Sequence, residues 1–135
     1  MTEQTLAWLQ EEGRGTFFDY IGGRLTAVSD RRLEGEVTIE AHHLNHMGIT
    51  HGGVYAAMLD HVMGYAAYHL KPKARVVTTN LSIHYVAPIR LAGRMKVSGE
   101  IVHATRQTIT TKGSIYDEQG ELLALATAAY RAKEG

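Results

Sequence analysis

Residues 52–70 read GGVYAAMLDHVMGYAAYHL, and between Val54 and Tyr68 only Asp60, His61 and Gly64 are not Val, Leu, Met, Ala or Tyr. A helix that is apolar all round belongs inside a protein. Nineteen residues make roughly 28 Å of helix, nearly a membrane span, but a mid-helix carboxylate and flanking histidines make insertion costly. The stretch is therefore predicted to be a buried helix that the rest of the chain must cover.

The covering material lies on both sides. From Arg32 to Glu40 the chain alternates, Leu33, Gly35, Val37 and Ile39 against Glu34, Glu36, Thr38 and Glu40, which is the pattern of a half-buried antiparallel strand. Residues 76–86, 94–103 and 107–116 are rich in Val, Ile, Thr and Tyr and are separated by turn signals near Pro88, Gly93 and Ala104. The segment LLALATAAYR (122–131) has helical composition, but it follows the turn residues DEQG and reads as a returning strand. Residues 3–20, interrupted by Gly13 and Gly15, fit one or two short helices. One long helix among antiparallel strands is an α+β arrangement whose sheet curls around the helix. No repeat or linker divides it, so residues 1–135 form one domain.

Composition narrows the function. Fourteen Lys plus Arg offset fourteen Asp plus Glu, leaving no overall field for nucleic acid or an anionic membrane surface. No cysteine is present, which excludes thiol catalysis, disulfides and thiolate metal sites and fits a reducing compartment. MTEQTLAWLQ carries no basic or long apolar leader, so a cytoplasmic location is expected.

Two features carry chemistry. Asp60 has Ala56, Ala57, Met63 and Gly64 as its neighbours on the helix face, none able to neutralise it. Such a carboxylate either reaches a groove or a distant cation, or works as a general base or nucleophile. Upstream, Asn45-His46-Met47-Gly48-Ile49-Thr50-His51-Gly52-Gly53 delivers the chain to the helix start. There Gly52 and Gly53 let a ligand approach backbone N–H groups that lack intrahelical acceptors and sit at the positive end of the dipole. That is a ready oxyanion site. Gly52 and Asp60 are eight residues apart, roughly 12 Å along the axis, too far to serve one carbonyl carbon. Two such helices packed antiparallel about a twofold axis would bring one helix start beside the other's carboxylate, so a dimer is the minimum active unit.

The pattern N-x-x-G-x-x-H-G-G-x-x-x-x-x-x-D, carried by Asn45, Gly48, His51, Gly52, Gly53 and Asp60, resembles the signature of hotdog-fold acyl-CoA thioesterases of the phenylacetate-pathway (PaaI-like) type. The likeness extends over residues 30–132. It implies a hotdog fold, a long helix wrapped by five or six antiparallel strands, assembled as homodimers and often as dimers of dimers. It implies hydrolysis of acyl-CoA, including aromatic acyl-CoA, to free acid and coenzyme A, with no metal or redox cofactor. By the same resemblance Gly52 offers its N–H to the thioester carbonyl, while Asp60 of the partner chain activates water or attacks the carbonyl. Asn45 and His51 hold the loop and the thioester end of the substrate, with Gly48 and Gly53 beside it. Thr78 matches a position where a Ser or Thr steers the water. Strand parity sets Thr78 with Asn80, Ser82 and His84, opposite Thr79, Leu81, Ile83 and Tyr85, and a bulge would hand the role to Thr79. The family's alternative Glu is Asp here, which shortens the reach by one methylene and points to the PaaI-like branch.

Other readings are weaker. His42, His43, His46, His51 and His61 invite a metal, but no H-E-x-x-H motif occurs. A non-catalytic protein that holds acyl-CoA or an aromatic ligand is the main alternative, opposed by Asp60, whose charge would weaken binding of an anionic ligand unless it reacts. A dehydratase would need a different loop with a paired catalytic His. Arg90, Arg94 and Arg106 are candidates for coenzyme A phosphates, with Arg106 kept as a substrate-binding residue. Met47, Met58, Met63, Tyr65 and Tyr68 could line an acyl pocket, but core packing is the simpler account of residues on a buried helix.

Overall fold

The computed structural model describes residues 2–72 and 74–134. Helix α1 (Thr2–Glu12) and the short α2 (Phe17–Tyr20) precede strands β1 (Arg24–Val28) and β2 (Arg32–Thr38). A single 3₁₀ turn (Ala41–His43) and a loop lead into α3 (Gly52–Leu70). Four strands follow, β3 (Ala74–Tyr85), β4 (Arg94–Ala104), β5 (Thr108–Tyr116) and β6 (Leu122–Glu134). They form one six-stranded sheet in the order β1-β2-β4-β5-β6-β3, every adjacent pair antiparallel. This is the arrangement expected from residues 52–70, a sheet folded about one long helix, and it is the hotdog fold that the resemblance implied. Among the described residues no helix is long and apolar enough to cross a membrane.

The sheet closes on α3 because it carries small residues where the helix presses. Gly99 and Gly113 are direct cross-strand partners of β4 and β5. A Cβ on Gly99 would lie 3.0 Å from the backbone N and Cα of Met63, and one on Gly113 would lie 3.1 Å from the side chains of Leu59 and Met63. On β6 every second residue, Ala124, Ala126, Ala128, Tyr130 and Ala132, is buried. This period of two makes 122–131 a strand despite its helix-forming composition.

Three expectations need correction. The strand predicted over 32–40 ends at Thr38, because Glu40 and His43 exchange the bonds of a capping box that turns the chain. β1 was not anticipated; its few residues pair with β2 as a hairpin that extends the sheet edge. Finally, α3 is not apolar-buried on every side within one chain. Met58, Leu59, Val62, Met63, Ala66 and Ala67 are buried, whereas Ala56, Ala57, Asp60, His61 and Gly64 are only half-buried. Small residues around Asp60 leave an open face on the helix.

Candidate active site

The loop before α3 is held by its own side chains. The Asn45 side-chain oxygen accepts from the backbone N–H groups of Met47 at 2.9 Å and Ile49 at 3.4 Å. Gly48 takes a φ of 78°, a left-handed turn that favours glycine. His51 is the N-cap: its Nδ1 accepts from the Gly53 N–H at 2.7 Å, which satisfies one free donor of the helix start. The Gly52 carbonyl accepts from the Tyr85 hydroxyl at 2.9 Å. The Gly52 N–H, by contrast, has no acceptor among the described residues. Of the two glycines, therefore, Gly52 presents the open donor while Gly53 is committed to the cap. Gly52, Asn45 and Tyr85 line a cleft of about 310 Å³.

Asp60 lies at a different opening, a cleft of about 610 Å³, within the range of small-molecule sites. Its partners are neither cations nor helix neighbours. Thr78 donates its hydroxyl to Oδ1 at 2.9 Å, and Tyr130 donates to the same oxygen at 2.8 Å while lying 3.0 Å from the Asp60 main-chain oxygen. Oδ2 has no donor among the described residues. Burial, then the charge of Asp60, pushes the Tyr130 phenol above its ordinary range, so it remains a donor at working pH. His61, beside Asp60, is pushed below the usual imidazole value by burial, with the Asp60 charge opposing.

A bulge decides which threonine faces Asp60. The β3–β6 ladder pairs Thr78 with Tyr130 and Asn80 with Ala129, skipping Thr79. Ala74 and Val76 before the bulge and Leu81 and Ile83 after it all pack on the core. Thr78 thus shares the helix side with Leu81, Ile83 and Tyr85, contrary to strict alternation, and Thr79 instead donates to the Ala129 carbonyl at 3.1 Å.

Other residues fall outside either cleft or are already bonded. Arg106 sits exposed between β4 and β5 and lines neither opening; the cation lining the Asp60 cleft is Arg75. His43 accepts from the Glu40 N–H through Nδ1 at 2.9 Å and bonds the Ile21 carbonyl through Nε2 at 2.7 Å, so its ring braces the loop. Among the described residues no group of three or more His, Asp or Glu is placed to hold a metal ion. Sequence reasoning missed Tyr130, Tyr85 and Arg75, and also Glu12, which accepts from the Tyr68 hydroxyl at 2.9 Å and lines the Asp60 cleft.

The two half-sites are thus an open N–H donor at a helix start and a carboxylate with one free oxygen, each at its own cleft. The family model described as the thioesterase superfamily matches residues 47–124. The chain is 27% identical over 119 residues to the proofreading thioesterase EntH of Klebsiella pneumoniae, covering 87% of this chain and 86% of that protein. It is 23% identical over 104 residues to human acyl-coenzyme A thioesterase 13, covering 76% and 74%. The PaaI protein of the Escherichia coli phenylacetic acid degradation operon superposes with a TM-score of 0.87 at 18% identity over 97% of this chain and 96% of that one.

Proposed function

The chain belongs to the thioesterase superfamily and is a thioester hydrolase; from that premise we propose that it cleaves acyl-CoA at a site shared by two subunits. In this reading the thioester carbonyl oxygen accepts from the Gly52 N–H of one subunit, where the developing oxyanion is stabilised. Asp60 Oδ2 of the other subunit takes a proton from water as the water oxygen bonds to the carbonyl carbon. The tetrahedral intermediate then collapses, the C–S electron pair leaves on sulfur, and the sulfur takes the proton from Asp60. Free acid and coenzyme A result. Direct attack by Oδ2, followed by hydrolysis of the anhydride, would use the same two groups. Either route needs only protein groups and water.

The observation that carries this reading is that each chain presents the two groups at separate clefts, with one open donor and one open acceptor. β3 is an edge strand, and exposed edges invite a partner strand. It carries Thr78 at the Asp60 cleft and Tyr85 at the Gly52 cleft. Antiparallel pairing of two β3 edges about Leu81 and Ser82 would set the Thr78 end of one beside the Tyr85 end of the other. The same operation would lay the open faces of two α3 helices together. A homodimer follows, with a dimer of dimers as a further step. For the acyl group we favour an aromatic ring, because His61, Tyr65 and Tyr68 line the cleft and Phe18 backs His61 at a ring-centroid distance of 5.1 Å. The setting this reading implies is the cytoplasm, where acyl-CoA is available.

The test is a panel of acetyl-, hexanoyl-, benzoyl- and phenylacetyl-CoA assayed by free-thiol release, run beside Asp60→Asn. At least one thioester should be turned over, and the variant should fold normally yet lose at least about 10²-fold in kcat. Near-normal turnover by Asp60→Asn would remove the assignment, and binding without turnover by the parent would favour a ligand-holding role.

A further inference from the structure

We propose that Tyr130 is a positioning residue for hydrolysis: with Thr78 it holds Oδ1 of Asp60 and so assigns the reaction to Oδ2. The inference rests on Asp60 being the reacting carboxylate. A carboxylate oxygen offers two in-plane lone pairs, and Oδ1 receives two hydroxyl donors, Thr78 at 2.9 Å and Tyr130 at 2.8 Å. Oδ1 is therefore saturated. A tilt of the carboxylate out of this orientation would break both bonds, and a full half-turn only exchanges two equivalent oxygens, so one oxygen is always held and the other, Oδ2 here, is free to meet water or the thioester.

The two donors are arranged to hold that orientation. Thr78 and Tyr130 are direct cross-strand partners on β3 and β6, so their spacing is set by the sheet ladder. Tyr130 is 1% exposed, and its hydroxyl also lies 3.0 Å from the Asp60 main-chain oxygen, which fixes the carboxylate relative to its own helix. The ring reaches the helix because residue 64, one turn beyond Asp60, is glycine: a Cβ there would lie 3.3 Å from Tyr130 Cε1. Removing the hydroxyl alone leaves packing intact and frees one side of Oδ1.

Steady-state kinetics on the full chain separate positioning from mere packing, using the best-cleaved member of benzoyl-, phenylacetyl- and hexanoyl-CoA. Tyr130→Phe should lower kcat about 10- to 100-fold, the factor matching loss of a charge-assisted hydrogen bond, with KM within about threefold of the parent. Gly64→Ala is the second variant; it keeps every hydroxyl, favours the helix, presses on the Tyr130 ring, and should lower kcat at least about threefold. If Asp60→Asn is inert while Tyr130→Phe keeps kcat within about twofold of the parent, the positioning role is refuted and the reading of Asp60 stands. A loss confined to KM in both Tyr130→Phe and Gly64→Ala also refutes it. An active Asp60→Asn would overturn the reading on which the inference rests.

Discussion

Replacing Gly52 by proline deletes a single N–H, and the structure makes this a nearly clean deletion. The Gly52 N–H bonds to no acceptor among the described residues, so no internal hydrogen bond is lost. Gly52 is the first residue of α3, where proline is favoured. His51 before it has φ −59° and ψ 136°, the extended region that a residue preceding proline adopts. The new Cβ would lie 3.3 Å from the Tyr85 hydroxyl and 3.4 Å from its ring, and the proline Cδ takes the place of the amide hydrogen. Tyr85 is 51% exposed and can give way. Gly52→Ala adds the same Cβ and keeps the N–H, so the ratio between the two variants cancels the Cβ and reports the donor together with the ring carbon that replaces it. If that N–H stabilises the oxyanion, Gly52→Pro should fall below Gly52→Ala by about 10²–10³ in kcat, or about 2.7–4 kcal/mol. Both are assayed by thiol release from benzoyl- and phenylacetyl-CoA, with circular dichroism to confirm that α3 persists. Equal rates for the folded proline and alanine variants would refute the oxyanion role.

Two further outcomes follow from packing and charge. Gly99→Ala forces a Cβ to 3.0 Å from the Met63 backbone, which cannot swing aside as a side-chain tip could; it should cost about 1–3 kcal/mol in urea unfolding, and an unchanged midpoint would show that α3 does not press on this position. The imidazole of His61 is held below its ordinary value of 6.5 by burial, with Asp60 opposing, so below about pH 6.5 the unfolded chain binds a proton that the folded chain refuses. Stability should therefore fall as pH drops from about 7 to 5 more steeply in the parent than in His61→Phe, measured by Tm against pH, and parallel profiles would contradict the assignment.

Much of this architecture is legible along the chain because periodicity is a local signal. The alternation of Leu33, Gly35 and Val37 marks β2, and the buried even positions Ala124, Ala126, Ala128, Tyr130 and Ala132 carry the period of a strand even where composition favours helix. β1 is short and its core contribution is Leu25, so alternation had little to work on. Asp60 and Gly52 stand out because one is a charge in an apolar helix and the other a glycine at its start. Tyr130 does not stand out: it lies 70 residues from Asp60, and only the β3–β6 register brings the two together. The bulge at Thr79 leaves no mark in composition, yet it decides which threonine faces the carboxylate. Likewise, the open face around Ala56, Asp60 and Gly64 reads as a buried helix until the sheet is seen to cover only the other side.

The claim that one subunit supplies the oxyanion donor and the other the carboxylate is tested most directly by mixing. Asp60→Asn and Gly52→Pro are each inactive on their own if both groups are needed. A mixed dimer of the two variants contains one site with both groups intact and one with neither. Co-refolding equal amounts should therefore restore about a quarter of the parental thioesterase rate per subunit, since about half of the dimers are mixed and each carries one working site. Mixed dimers, isolated by two affinity tags, that remain as inactive as either variant alone would place both groups in a single chain and contradict the shared site.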